Sequence, residues 1–215
     1  MSLTSSDATL TEDVLIERLL EATAENYHSD ADRFLPSYIK ESYYHVKALL
    51  HACKIYGVHL AAEKAYVLAT ARRESSLGNT MHEQIDEEYA NLNYADQIGN
   101  GDVASADGYY FRGRGYVQLT GRANYEDWGS RLGIDLLQNP ERAIEPTIAA
   151  KICVIGMRDG TFTRKYKLSD FFAHDKTDFF AARNIVNPRE VLRNSQLSKI
   201  TEAYAESYHK VLVEF

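Results

Sequence analysis

FRGRGYVQLTGRANY, at residues 111–125, packs glycines, arginines and amide side chains into a stretch too polar for an ordinary core element. Upstream of it, residues 71–78 read ARRESSLG, and here an apolar helical pattern ends with a carboxylate, Glu74. A helix that is apolar on most of its sides is a buried one, so Glu74 is expected where this helix leaves the core. Together the two segments predict the walls of a cleft.

Length and composition predict a globular protein with one main domain. The 215 residues suit a single domain, or a domain with a helical extension. A hydrophobic content of 45% and a charged content of 26% are ordinary values, so a core can form without covalent staples. Cys53 and Cys153 both stand in apolar stretches, which favours two buried, reduced thiols over a disulfide.

Charge and hydropathy argue against two classes of partner. The net charge is −7 and the basic residues form no run, whereas nucleic-acid binding depends on clustered Lys and Arg. No apolar segment approaches the ~20 residues that span a bilayer. The first residues lack the charged and apolar regions of a secretory signal. We therefore expect no nucleic acid, no membrane span, and cytoplasmic synthesis with release or export by a separate system.

Hydrophobic periodicity predicts a mainly α-helical fold with at most a small β-hairpin. The predicted helices are one ending near Tyr27 and others over residues 37–56, 60–77, 121–132, 146–158, 177–186 and 190–213. Residues 30–36 form a polar connection, residues 81–108 an irregular polar stretch, and residues 109–119 a short hairpin or extended turn. Residues 1–57 are expected as an N-terminal helical extension, packed on or part of the same domain, and residues 58–215 as the main domain.

Glu74 has the position that a general acid requires. A carboxyl group at the mouth of an apolar helix is partly desolvated, which favours its protonated form near neutral pH. The alternative is a helix-end carboxylate that simply pairs with Arg72 or Arg73, as in structural ion-pair networks. The sequence is compatible with both interpretations of Glu74.

Cleavage of a glycosidic bond would need a second carboxylate. Four candidates follow Glu74 closely: Glu83, Asp86, Glu87 and Glu88. On one straight helix Glu83 would lie about 13 Å from Glu74, which is too far. A Gly-Asn pair breaks the helix between them, so the chain can fold back. The residues at 86–88 suit a solvated acidic face, although one of them stays open as the second acid.

These two segments resemble glycoside hydrolase family 19, the chitinases and their phage-endolysin relatives. The family carries its catalytic acid in a His-Glu-Thr/Ser motif, filled here by Arg73-Glu74-Ser75. Its short members carry a second acidic residue nine positions later, where Glu83 stands. The family pattern Tyr/Phe-x-Gly-Arg-Gly-x-x-Gln-Leu-Thr-x-x-x-Asn-Tyr is matched across residues 111–125.

Two later segments extend the resemblance over residues 60–213. LGIDLLQNP at residues 132–140 is similar to the family's Leu-Gly-x-Asp-Leu-Leu-x-Asn-Pro, and ARNIVN at residues 182–187 to its Ala-Arg-x-Ile-x-Asn. The resemblance implies a lysozyme-like helical domain over residues 58–215, which would be the catalytic domain. It also implies an inverting reaction, for which the two carboxyl groups lie about 6.5–9.5 Å apart.

The resemblance assigns roles to the two carboxylates, to Thr120 and to three amide side chains. Glu74 would be the acid, while the second carboxylate, Glu83, and Thr120 would hold the attacking water. Amide side chains offer the neutral donors and acceptors that sugar hydroxyls and N-acetyl groups require. From its chemistry, Tyr116 is a candidate to stack on a sugar ring, with a packing role as the alternative. Arg114 is a candidate to contact carboxylates of stem peptides, with surface solvation as the alternative. The substrate-binding residues would thus be Gln118, Asn124, Asn187, Tyr116 and Arg114.

The expected substrate is a polysaccharide, and no metal or cofactor is expected. His82-Glu83 is not followed by a histidine at metal-ligand spacing. Peptidoglycan is favoured, because the long loops and the cysteine-rich module of family chitinases do not stand out in this sequence. The expected activity is that of an endolysin or muramidase, in a monomer. The alternatives are a chitinase acting on N-acetylglucosamine polymers and a catalytically inactive module that binds cell wall.

Overall fold

A computed structural model describes residues 5–25, 39–193 and 195–215, with side chains from residue 11 onward. The described part of the chain is mainly helical, which confirms the predicted fold class. Its α-helices are α1 (Ser5–Glu25), α2 (Ile39–Ile55), α3 (Ala61–Ser75), α4 (Glu87–Asn93), α5 (Asp107–Tyr110), α6 (Arg122–Leu132), α7 (Pro146–Asp159), α8 (Phe179–Ala182), α9 (Pro188–Leu192) and α10 (Gln196–Leu212).

Short 3₁₀ turns and a small hairpin connect these helices. The turns are Val103–Ser105, Pro140–Ile144, Leu168–Asp170 and Arg183–Ile185. The hairpin pairs β1 (Phe172–Ala173) with β2 (Lys176–Thr177) in antiparallel register. Within the described ranges, no helix combines the length and the apolar character that crossing a bilayer requires.

The core is built around α3. This helix is buried on most of its sides, as its apolar pattern predicts, and packs against α10, α7 and α2. The predicted stripe of α10 is also buried, with Tyr204 and Tyr208 both nearly inaccessible. Cys53 and Cys153 are buried in this core as free thiols. Glu74 lies where the central helix ends.

The two N-terminal helices share the same core. Val46 and Leu49 of α2 are buried in the cluster that holds α3, and α2 packs on α7 and α3. α1 packs on α2 and α10, and the hydroxyls of Thr23 and Tyr208 are 2.8 Å apart. The predicted end of the first helix near Tyr27 and the polar connection at residues 30–36 lie outside the described residues.

A second apolar cluster supports the glycine- and arginine-rich stretch. Phe111 and Tyr125, at its two ends, pack with Trp128 of α6 and Ile152 of α7. The ring centroids of Phe111 and Tyr125 are 5.3 Å apart. The polar middle of the stretch therefore lies between two buried aromatic residues, which fix its ends.

Two predicted helices differ from the structure, whereas the short turn expected within residues 109–119 is present. The helix predicted over residues 190–213 is two helices, because Ser195 caps α10 by accepting a hydrogen bond from the Ser198 amide. The helix predicted over residues 177–186 is the short α8 followed by a 3₁₀ turn. At residues 109–119, Arg114 and Leu119 exchange two backbone hydrogen bonds in an isolated bridge, whereas the paired strands lie at 172–177.

Candidate active site

Glu74 stands at the C-terminal end of α3, just before a tight reversal of the chain. Three successive residues after the helix, Ser76, Leu77 and Gly78, have positive φ values of 50°, 50° and 90°. The Leu77 amide donates to the carbonyl of Ala71, which satisfies one of the last carbonyls of the helix. The predicted break is confirmed, and it turns the chain back toward the end of α3.

Glu83 is anchored at both of its carboxylate oxygens. Oε1 accepts a hydrogen bond from the Tyr94 hydroxyl at 2.7 Å, and Oε2 accepts one from the Gly113 amide at 2.9 Å. The Glu83 amide in turn donates to the Gly113 carbonyl. Burial and the neighbouring Glu83 carboxylate raise the pKa of Tyr94, so its hydroxyl stays a donor. These bonds fix the orientation of the carboxylate.

One open cavity brings together four of the predicted site residues. Its volume is about 560 Å³, and it is lined by Arg73, Glu74, Thr80, His82, Glu83, Gln84, Gln118 and Thr120. Of the candidates for the second acid, Asp86 instead caps α4, accepting a hydrogen bond from the Tyr89 amide, and Glu87 lines another cavity. Among the described residues, Glu83 is the carboxylate that shares the cavity with Glu74.

The two neutral polar residues of the cavity are held by local hydrogen bonds. Gln118 has a positive φ of 52°, and its Nε2 donates to the Gly115 carbonyl at 3.0 Å. The Thr120 hydroxyl donates to the Gln118 carbonyl at 2.9 Å. A hydroxyl oxygen that donates keeps acceptor capacity for a ligand such as water.

The structure corrects the predicted roles of Tyr116 and Arg114. Tyr116 is fully buried, and its hydroxyl is 2.8 Å from Nδ1 of His45, so its ring cannot stack on a sugar. The Arg114 side chain is 2% exposed and is bound to Glu141 and to the Tyr125 hydroxyl. Both residues hold the stretch together. The sequence did not reveal this, because Tyr and Arg suit surfaces and buried networks alike.

The two predicted asparagines lie outside the lining of the cavity. Asn124 is exposed on α6, and its Nδ2 donates to the Thr120 carbonyl at 2.7 Å. Asn187 is half-buried, and its Nδ2 donates to Oε1 of Glu190 at 2.9 Å. Asn124 therefore braces a cavity residue, and Asn187 belongs to an ion-pair network behind Glu74.

Arg183 is the functional candidate that the sequence did not single out. Its side chain is 1% exposed and forms ion pairs with Glu74 and with Glu190, the latter at 2.9 Å. Burial acts to lower the pKa of the guanidinium, but the two carboxylates outweigh it and raise that pKa. Its signal in the sequence was the ARNIVN segment, in which it follows Ala182.

The partner of Glu74 also differs from the alternatives that the sequence offered. The expected partners were its neighbours Arg72 and Arg73, whereas the ion pair is made with Arg183, 109 positions away. The Arg72 guanidinium lies over the Tyr204 ring, 3.7 Å from its centre. Glu74 is thus tied to the C-terminal half of the chain, and not only to its own helix.

Comparisons with known proteins show similarity to one family of enzymes. Residues 67–158 match the family model for class I chitinases of glycoside hydrolase family 19. Over 55 residues the chain is 46% identical to a family 19 glycosyl hydrolase domain-containing protein of Haemophilus influenzae. That match covers 26% of this chain, and it spans only 28% of the relative's length.

The fold is also similar to that of a solved chitinase. Chitinase C from Streptomyces griseus matches with a TM-score of 0.60 and 16% identity, over 94% of this chain and 76% of that one. The glycosidase expected from the sequence is the class of enzyme that the matching family model describes. The chain is therefore similar to glycoside hydrolase family 19 over residues 67–158, and its helices agree with the mainly helical fold that the resemblance implied.

Proposed function

We propose that this chain hydrolyses the β-1,4 links between amino sugars of bacterial peptidoglycan, with inversion, using Glu74 as acid and Glu83 as base. One observation carries the proposal: two carboxyl groups, Gln118 and Thr120 line the same open cavity. Two carboxyl groups flanking a glycosidic bond are what this reaction requires. The amide and the hydroxyl supply neutral partners for sugar hydroxyls and water.

Arg183 has a second carboxylate partner besides Glu74. The guanidinium binds Glu74 on one side and Glu190 on the other. When Glu74 is protonated, Arg183 remains paired with Glu190, so the buried cation keeps a counter-charge. Glu74 then gives its proton to the leaving oxygen as the glycosidic bond breaks. After turnover the proton returns to it from solvent.

Glu83 and Thr120 would handle the attacking water. Both oxygens of Glu83 already accept hydrogen bonds, which is the role of an ionised carboxylate. Glu83 takes a proton from the water as the water oxygen bonds to the anomeric carbon, and Thr120 accepts the other water hydrogen. The inverting geometry requires carboxyl groups about 6.5–9.5 Å apart, with the water between them.

Cationic side chains around the cavity favour peptidoglycan over a neutral polymer. Arg73 lines the cavity itself. A neighbouring cavity of about 370 Å³ contains Tyr109 and Arg112, whose guanidinium lies 4.0 Å from the centre of the Tyr109 ring. His82 of the first cavity is bound to Glu141 of the second at 2.7 Å. Guanidinium groups suit the carboxylates of lactyl groups and stem peptides, which chitin does not have.

Replacing Glu74 by Gln tests the proposed reaction. The release of reducing ends from purified peptidoglycan should fall by about 10²–10⁴-fold, since the acid is lost. Glu83→Gln should cause a loss of the same order, while Glu88→Gln, an exposed carboxylate on α4, is the matched control. Circular dichroism should show the fold unchanged in all three variants. Full activity of Glu74→Gln would reject the assignment.

A chitinase is the second candidate, supported by the comparisons. The matching family model describes class I chitinases, and the similar structure is a chitinase. The unmodified protein, assayed in parallel on peptidoglycan and on chitin, distinguishes the two. Faster release of reducing ends from chitin would overturn the peptidoglycan proposal. Binding to purified wall without turnover would favour the inactive wall-binding module. We further propose that a separate system delivers the chain to the wall.

A further inference from the structure

His45 of α2 lies against both segments that carry the candidate site. A Cβ atom added to Gly78 would collide with the His45 ring, so the ring packs directly on the backbone of the turn after Glu74. On its other side, Nδ1 of His45 is 2.8 Å from the Tyr116 hydroxyl. Tyr116 precedes Gln118 by two residues, and the two rings meet edge to face at 86°. One side chain thus contacts the turn and the glycine-rich stretch together.

Ser42 makes a second contact from the same face of α2. Its side chain is fully buried, and its hydroxyl accepts a hydrogen bond from Nδ2 of Asn79 at 2.7 Å. The same Asn79 nitrogen donates to the carbonyl of Ser76 at 2.8 Å. Residues 42 and 45 are three apart and therefore adjacent on the helix surface. α2 consequently holds the turn at both Gly78 and Asn79.

The turn needs such support. Ser76 and Leu77 adopt left-handed φ values that are unfavourable for residues with a Cβ atom, and both are buried. Strained backbone of this kind persists only where the surrounding structure fixes it, and it concentrates at functional sites. This turn also determines how the chain travels from Glu74 to Glu83. A shift of the turn would therefore change the separation of the two carboxyl groups.

We propose that His45 and Ser42 are positioning residues, which fix the turn at residues 76–80 relative to the stretch at residues 111–120. The inference rests on the proposed function of Glu74 and Glu83. It makes α2 part of the framework that holds the candidate site. His45 does not touch the cavity itself, so it acts through Gly78 and Tyr116.

The bond between His45 and Tyr116 is a directional contact between neutral groups. Burial lowers the pKa of His45, with Glu41 opposing it weakly, so the ring is neutral at neutral pH. A neutral ring keeps one nitrogen as donor and one as acceptor, which makes its orientation specific. The Tyr116 hydroxyl, with its pKa raised by burial, stays protonated.

Two substitutions at position 45 separate positioning from packing. His45→Leu keeps an apolar side chain of useful volume but cannot bond Tyr116, whereas His45→Asn is smaller and keeps a polar nitrogen near the position of Nδ1. We expect kcat to fall about tenfold in His45→Leu, with KM nearly unchanged, because a small misplacement of reacting groups is costly. We expect His45→Asn to recover most of that kcat. A packing role predicts the reverse order.

Matched variants control for stability and for the underlying reaction. His51→Leu changes an exposed histidine of the same helix and should leave kcat unchanged. Tyr116→Phe removes the same hydrogen bond while keeping both rings, and it should lower kcat as His45→Leu does. It also serves as the test if His45→Leu does not fold.

The outcomes distinguish this inference from the proposed function. An inactive Glu74→Gln, together with full kcat in His45→Leu or in Tyr116→Phe, overturns the inference alone. A fully active Glu74→Gln overturns the proposed function. A higher kcat in His45→Leu than in His45→Asn also overturns the inference, because it assigns the residue to packing.

Discussion

At the scale of single residues, Gly113 determines how closely the two walls of the cavity approach. Its amide binds Oε2 of Glu83 and its carbonyl binds the Glu83 amide. A Cβ atom added here would lie 2.7 Å from Oε1 of Gln118 and 3.2 Å from Oε2 of Glu83. Glycine is needed at this position because of close approach, since the φ angle is not in the left-handed region.

We expect Gly113→Ala to lower activity more than stability. The new methyl group would displace the ends of the Gln118 and Glu83 side chains, which can move without disturbing the backbone. A displaced reacting group costs up to about 10²-fold in rate, so kcat should fall by about 10–100-fold. The measurement is kcat on the preferred substrate, together with the midpoint of thermal unfolding.

Gly133→Ala is the contrasting control for Gly113→Ala. Gly133 ends α6 with a φ of 66°, and an added Cβ atom would meet nothing within 4 Å. The left-handed conformation should cost this variant about 1–2 kcal/mol of stability, with kcat unchanged. If Gly113→Ala instead lost stability as Gly133→Ala does and kept its kcat, the close-approach argument would be wrong.

At the scale of elements, Glu141 joins a 3₁₀ turn to the segments around the cavity. It binds His82 at 2.7 Å through one oxygen and Arg114 at 2.6 Å through the other. Burial acts to raise the pKa of Glu141, but hydrogen bonds from His82 and Arg114 outweigh it, and the pKa lies below its usual value of 4.5. The carboxylate form is therefore favoured by folding.

This shift predicts a pH-dependent effect of Glu141→Gln. A carboxylate whose pKa is lowered in the folded protein adds stability above its unfolded pKa, and this is lost as pH falls through the folded pKa. Glu141→Gln should therefore be less stable than the unmodified protein at pH 7. The difference between their unfolding free energies should become smaller below about pH 4.5. Urea denaturation of both proteins between pH 7 and pH 3 measures it, with Glu88→Gln as control. A difference in unfolding free energy that stays constant over this pH range would contradict the ion-pair role.

Helices whose apolar residues repeat regularly were predictable from the sequence. Elements whose boundaries depend on contacts with distant residues were not. The helices at 121–132 and 146–158 were placed closely because their apolar faces repeat regularly. The gap between α9 and α10 was missed, since the apolar pattern continues past Ser195 and the cap itself is a single local bond.

The candidate site also has features that the sequence predicted and features that it did not. The segments of Glu74, Gln118 and Thr120 were marked by motif spacing, and the three residues line one cavity. The pairing of Glu74 with Arg183 joins residues 109 positions apart, which no local pattern encodes. The burial of Tyr116 depends on His45 of another helix, and a tyrosine suits either environment. Sequence therefore indicated the chemistry, while tertiary packing determined which residues reach it.

At the scale of the whole molecule, two buried free thiols lie in the core that the N-terminal helices share with the rest of the chain. Cys53 lies on α2 and Cys153 on α7, the two helices pack together, and both thiols belong to one core. Burial raises the pKa of Cys53 to about 12 and also raises that of Cys153. Since the thiolate is the reactive form, each thiol can be modified at pH 8 only after the structure around it opens.

We expect both thiols to become reactive in the same opening event. α1 and α2 share the core with α3, α7 and α10, so they should not detach while the other helices stay folded. Two variants isolate the signals: Cys153→Ala retains Cys53, and Cys53→Ala retains Cys153. Rates of labelling by a disulfide reagent at increasing urea give an opening free energy for each thiol. Each value should equal the global unfolding free energy of the same variant.

The opening and global unfolding free energies are compared within the same variant, so the stability lost by removing a buried sulfur affects both equally. A single core opens as a unit, so the urea dependence of labelling should match the full m-value for both thiols. If Cys53 reacted with a weaker urea dependence while Cys153 stayed protected, α1 and α2 would form a separately opening unit. In that case residues 1–57 would be an extension packed on the catalytic domain. Equal values would place α2 within the cooperative unit that holds Glu74 and Glu83.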